Sequence, residues 1–162
     1  VISDKLINET VELEAYYIAG ISLYKTKKYT EALPYLNWTE KNTGTERGTE
    51  ALHFLAYSNF YLDNYDEVEK LHNQLLSRKP AYDYWIAHSL LLKGKLLMVQ
   101  DDLFAAEQTV QLVIDNYPNK EDGVITDAEK LLAEIMQLKN QPKSMNEDGG
   151  RTIDFEEGGN NE

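Results

Sequence analysis

Apolar residues recur at i, i+3, i+4 and i+7 from about Glu12 to Tyr24 and lapse in the polar run Lys25 to Lys28, the pattern of a one-sided helix ended by a turn. The rhythm restarts at about Thr30 to Lys41, Thr45 to Leu62, Tyr65 to Ser77, Tyr82 to Val99, Leu103 to Asn116 and Val124 to Lys139. Seven helices and no strand are therefore expected. Pro34 lies in the first turns of the second helix, where a missing N–H costs least, so it reads as a start signal. Asn42, Thr43 and Gly44 read as a left-handed cap closing that helix, and Thr126 or Asp122 as the N-cap of the last.

A second periodicity overlies the first. Gly20 is followed twelve positions later by Ala32, Ala56 by Val68 and Gly94 by Ala106, with Tyr29, Tyr65 or Leu103 three residues before the second member. Helices that cross at close range need side chains this small where their backbones meet. The spacing thus predicts three helical hairpins of one design stacked in a row.

These triplets, with Pro80 and Pro118 twelve residues after Val68 and Ala106, resemble the tetratricopeptide repeat, a family of 34-residue helix-turn-helix units. The resemblance covers residues 13–118. It departs from the family pattern at Asn59, which stands for an aromatic residue, at Lys93, which stands for an apolar one, and at Thr39, Leu75 and Val113, which stand for small ones. The units are 36 and 38 residues apart, so the turns between them are long. The resemblance implies an all-α fold, a right-handed superhelical solenoid of three helix-turn-helix repeats at about 12–44, 45–80 and 82–118, plus a C-terminal capping helix at 124–139. Residues 1–140 then form the repeat domain, and residues 141–162 an acidic, glycine-rich tail with two basic against six acidic side chains, expected to be flexible. Within the tail, Ile153 and Phe155 flank Asp154 in strand-like alternation that a short linear motif could use. The runs Ile114-Asp115-Asn116-Tyr117-Pro118 and Tyr82-Asp83-Tyr84-Trp85-Ile86-Ala87 look like the C-terminal repeats of large bacterial cell-envelope members, which favours envelope or periplasm over cytoplasm.

Repeats of this family line a concave groove with the first helix of each hairpin. Transferred by helical spacing, the groove positions are Tyr17, Ile21 and Tyr24, then His53, Tyr57 and Phe60 with Tyr61 beside them, then Lys95 with His88 nearby. Leu91 and Met98, on the same stripe, read as core. Tyrosines join a rigid apolar body to a polar tip and make good anchors for a partner. The Lys and Asn that let some members grip an acidic C-terminus are replaced by Tyr17, Ile21, His53 and Tyr57, so that activity does not carry over. An extended peptide or an amphipathic helix suits an aromatic groove better. The competing reading is a structural segment that packs on neighbouring repeats of a longer array or on another copy of itself.

Composition narrows the remaining classes. At 162 residues with 42% hydrophobic content, the chain is one ordinary domain. It opens at Val1 without an initiator Met or a signal region, which suggests a mature or excised piece. The longest apolar stretch, Leu90 to Val99, is broken by Lys93, Gly94 and Lys95, so no membrane span is expected. A formal charge of −12 disfavours nucleic acid, whose affinity comes from Lys and Arg contacts to phosphate. Without cysteine there are no thiolate sites. His53, His72 and His88 lie on different helices, each without a His, Asp or Glu one turn further on, so no metal site is expected. Asp101-Asp102 and Glu156-Glu157 are adjacent carboxylates that point apart, and no glycine-rich phosphate loop precedes a helix. The expectation is a non-catalytic scaffold without cofactor. Trp38 is expected to pack on the hairpin that follows it.

Overall fold

The computed structural model describes residues 2–141, with side chains from residue 9 onward. The tail motif around Asp154 lies outside the described residues. Seven helices make up the described chain: α1 Ile2–Lys25, α2 Tyr29–Asn42, α3 Glu46–Tyr61, α4 Tyr65–Ser77, α5 Asp83–Val99, α6 Leu103–Asn116 and α7 Val124–Asn140. No strand occurs among the described residues, so the chain is all-α.

The turns that end α1, α3 and α5 are one device used three times. Lys27, Asp63 and Asp101 adopt left-handed backbone, with φ of 60°, 58° and 58°. In each turn this residue's N–H bonds the carbonyl three back (Tyr24, Phe60, Met98) and the next N–H bonds the carbonyl five back (Leu23, Asn59, Leu97). This double bond pattern terminates a helix by satisfying its last carbonyls. Asn59 adds its side chain to the second turn, donating to the Leu55 carbonyl at 2.9 Å and accepting from Asn64 at 3.2 Å. The Asn59 side chain thus braces the turn.

Small residues sit at the crossings. A Cβ on Gly20 would lie 2.8 Å from Leu36 Cδ2 and 3.2 Å from the Leu36 backbone nitrogen, and one on Gly94 would lie 2.7 Å from Val110 Cγ2. Ala32, Ala56, Val68 and Ala106 are all buried. The triplets therefore mark where α1 meets α2, α3 meets α4 and α5 meets α6.

Several local expectations change. α1 begins at Ile2, ten residues before the apolar rhythm. Pro34 lies in the sixth position of α2 rather than at its start, so the Thr30 carbonyl loses its helical donor at an exposed site. No left-handed residue closes α2; Thr43 is extended, at φ −143° and ψ 135°, because its carbonyl is held from outside by Arg78 Nη2 at 2.6 Å. Thr126 lies inside α7, and Asp122 accepts from the Val124 N–H at 3.2 Å just ahead of that helix. Trp38 turns back within its own hairpin and stacks on Tyr16 at 4.2 Å between ring centroids.

Each helix packs on the next in sequence, and α1, α3, α5 and α7 also touch in succession, α1 with α3, α3 with α5 and α5 with α7. The even-numbered helices make no such contacts with each other. The core divides into two apolar clusters. One joins Leu36, Leu52, Leu55, Val68 and Leu71 to Trp85, Leu92 and Leu96. The other joins Val110, Val124, Leu131 and Ile135 to Ala87, Leu91 and Met98. α5 supplies a wall to both.

Between the first two hairpins stands a buried ion pair. Arg78, just past α4, donates to Glu40 Oε2 at 3.1 Å, to the Glu40 carbonyl at 2.9 Å and to the Thr43 carbonyl at 2.6 Å. Gln74 Nε2 donates to the same carboxylate oxygen at 2.9 Å. Gly48, in the first turn of α3, leaves the room, since a Cβ there would collide with both the Thr43 carbonyl and the Arg78 guanidinium.

Candidate functional site

The candidate residues lie on α1, α3 and α5, and they are unequally exposed. His53, Tyr57 and Phe60 are buried, at 6%, 9% and 4% exposure. Tyr57 and Phe60 belong to the core that α3 shares with α5, and His53 packs against Tyr57 and Trp85. These three expected groove positions are buried rather than open. Tyr17, Ile21, Tyr24, Tyr61, His88 and Lys95 remain half-buried. The stripe is therefore half-buried on α1, at Tyr61 of α3 and on α5, with the three buried side chains all on α3.

Two groups form. On α1, the Tyr17 hydroxyl donates to Glu50 Oε2 at 2.6 Å, and the Arg47 guanidinium lies over the Tyr17 ring at 5.2 Å. Burial and the Glu50 carboxylate both push the Tyr17 phenol pKa up. Tyr24 meets Phe54 at 4.6 Å and Tyr29 at 5.7 Å, and Tyr29 stacks on Tyr61 at 4.7 Å. These are offset or tilted aromatic pairs of the kind that add specific geometry to burial.

The second group joins α3 to α5. His53 lies 5.0 Å from Trp85, 4.8 Å from Tyr57 and 5.5 Å from His88, centroid to centroid. Lys95 Nζ sits 5.6 Å above the Tyr57 ring, a cation held by an aromatic face. Burial drives the His53 pKa well below the ordinary histidine value, with the neighbouring His88 and Lys95 acting in the same direction. Burial lowers His88 as well, against the pull of Asp127 and Asp122. It also lowers Lys95, against Glu134 and Asp127. His53 Nδ1 is buried without a hydrogen-bond partner. His72 stands apart, its Nδ1 in a hydrogen bond of 2.8 Å with Ser89 Oγ.

Sequence spacing on single helices does not show the rings from other elements that complete these groups. Phe54, Tyr29, Tyr84 and Trp85 enter from neighbouring turns and helices, and the acids of α7 set the charge around Lys95. A separate cleft of about 410 Å³ lies between α5 and α6, lined by Ile86, Leu90, Leu112 and Tyr117 among others, and shares no residue with the stripe. Among the described residues, no group of three or more His, Cys, Asp or Glu could hold a metal ion. No described helix is long and apolar enough to cross a membrane. No protein-family model and no curated protein matches the chain.

Proposed function

We propose that the chain is a tetratricopeptide-like interaction module, a right-handed solenoid without chemistry of its own that holds a peptide or a partner helix on the face formed by α1, α3, α5 and α7. The observation that carries this reading is the asymmetry of the packing: successive odd-numbered helices touch and successive even-numbered ones do not. Helices closer along one side bend the stack toward that side, and a bent stack offers a concave surface. The half-buried Tyr17, Tyr24, Tyr61, His88 and Lys95 belong to this row. Rigid rings with polar edges, the cations of Arg47 and Lys95 and the carboxylates of α7 suit an extended segment that brings both apolar and charged side chains.

The test is selection of peptides from a displayed random library on the intact chain, followed by affinity measurement on three variants. Tyr61→Ser and Lys95→Glu are expected to weaken selected peptides at least tenfold, whereas Ile18→Glu, at an exposed α1 position outside the candidate set, leaves them unchanged. Peptides that bind all variants equally would place the binding surface elsewhere.

A further inference from the structure

α1 presents an apolar stripe that its counterparts bury. Aligned on Gly20, Ala56 and Gly94, the α1 positions Val11, Ala15, Ile18 and Ser22 correspond to Arg47, Ala51, Phe54 and Ser58 of α3, and to Trp85, Ser89, Leu92 and Leu96 of α5. In α5 this stripe is closed, with Ser89, Leu92 and Leu96 at 2%, 1% and 0% exposure. In α3, Ala51 and Ser58 are at 0% and Phe54 is half-buried; Arg47, at the outer end, is the exposed exception. At Ser89 the cover is the preceding helix, α4, where His72 bonds Ser89 and Glu69 pairs with Lys93, whereas Phe54 meets Tyr24 of α1 and Trp85 of α5. On α1, Val11 and Ile18 are 63% and 53% exposed, and Ala15 and Ser22 are exposed with them. A helix face with two β-branched apolar residues seven apart and small residues between them is shaped for another helix.

We infer that this face is closed by the α1 of a second copy, running antiparallel. Direction follows from charge and from precedent within the chain. By sequence, α1 before Tyr16 carries Asp4, Glu9, Glu12 and Glu14 against Lys5, with Glu14 also paired to Arg47, and its end carries Lys25, followed by Lys27 and Lys28 in the turn. Antiparallel pairing sets each acidic half beside the other's basic end, and parallel pairing sets like against like. The covering helix inside the chain, α4, also runs antiparallel to the α5 it covers, since a short turn joins them. Ala15 and Ser22 let the two backbones approach closely. The contact is isologous, so it closes as a dimer and does not propagate into a filament. One helix pair is a small interface, and the dimer dissociates on dilution. This surface lies apart from the proposed groove, and its failure would leave that reading untouched.

The experiment is sedimentation equilibrium of the full chain from roughly 1 µM to 1 mM, a span that reaches the weak end of measurable affinity. The expected result is a monomer–dimer equilibrium that Ile18→Glu and Val11→Glu each shift at least tenfold toward monomer without loss of helical circular dichroism. Cysteine probes read direction, in a chain with no native cysteine. With a twofold axis at the centre of the stripe, paired Ile18 positions are offset by about 5 Å along the helices and paired Ser22 positions by about 16 Å, at 1.5 Å per residue. Only the first is within disulfide reach. Ile18→Cys should oxidise to a covalent dimer and Ser22→Cys should not. A chain that stays monomeric to 1 mM overturns the proposal, whether or not another polypeptide occupies the face. So does a dimer that tolerates both glutamates, and equal cross-linking at both cysteines overturns the antiparallel arrangement.

Discussion

Replacing Arg78 by Met should be among the most damaging single changes available outside the apolar core. The guanidinium is 14% exposed and the Glu40 carboxylate 6%, so neither ion can recover its hydration when the other is removed. Breaking a buried pair by deleting one partner typically costs about 3–5 kcal/mol, because the remaining charge stays buried. Glu40 would keep one donor, Gln74, and two carbonyls at the end of α2 would lose theirs. A loss of about 4 kcal/mol is therefore expected, most of it from the stranded carboxylate. Glu40→Gln in the same chain removes that charge and should restore about 2 kcal/mol, an estimate that treats the carboxylate as the dominant cost. Urea unfolding of the wild type, both single variants and the double variant gives the coupling energy directly. Gly48→Ala should show part of the same loss, since a Cβ there meets the guanidinium and the carbonyl it holds. An Arg78→Met loss below about 1 kcal/mol, the scale of a solvent-exposed pair, would refute the argument.

Acid should weaken the fold before its carboxylates titrate. His53 is held far below its unfolded pKa by burial, so between that depressed value and about 6.5 the unfolded chain binds a proton that the folded chain does not. Stability then falls as pH drops toward 5.5, by roughly 1 kcal/mol from His53, with His72 and His88 acting in the same direction. His53→Phe should flatten the melting temperature between pH 7 and 5.5; an unchanged slope would show that His53 is not the residue responsible. Lys27→Gly should stabilise by roughly 0.5–1 kcal/mol, because an L-residue in left-handed backbone costs about 1–2 kcal/mol and glycine gives part of that back as chain entropy. A calorimetric melt that moves down in Lys27→Gly would contradict the turn geometry. Asp63→Gly gives up the Asp63 bond to the Tyr65 hydroxyl, which offsets part of the strain relief.

Helices were legible where one face alternates with another, and crossings were legible where glycine or alanine recurs at fixed spacing, because both are local consequences of helical geometry. The seven elements and the contacts of Gly20 and Gly94 follow from that. What stayed hidden depends on residues far apart in the chain. Arg78 reads locally as a polar residue after a helix, and nothing near it announces Glu40, 38 positions earlier. The missing left-handed cap after Asn42 has the same origin, since a distant guanidinium holds the Thr43 carbonyl. In the candidate site, helical spacing identified a face but not its depth. His53, Tyr57 and Phe60 are buried while Tyr61 of the same helix is half-buried, a difference set by contacts with residues far away in the chain.

α5 has no outer side in the usual sense, and this affects how the molecule comes apart. Its Leu92 and Leu96 complete one cluster while its Leu91 and Met98 complete the other, and no single face of the helix serves both. Loss of α7 uncovers only the second cluster, so unravelling that begins at the C-terminal end should halt at α5, with the first two hairpins still assembled. Loss of α5 itself leaves both neighbours without a wall at once. The helix acts as a firebreak and as a single point of failure, and amide exchange should find its middle turns the slowest in the chain.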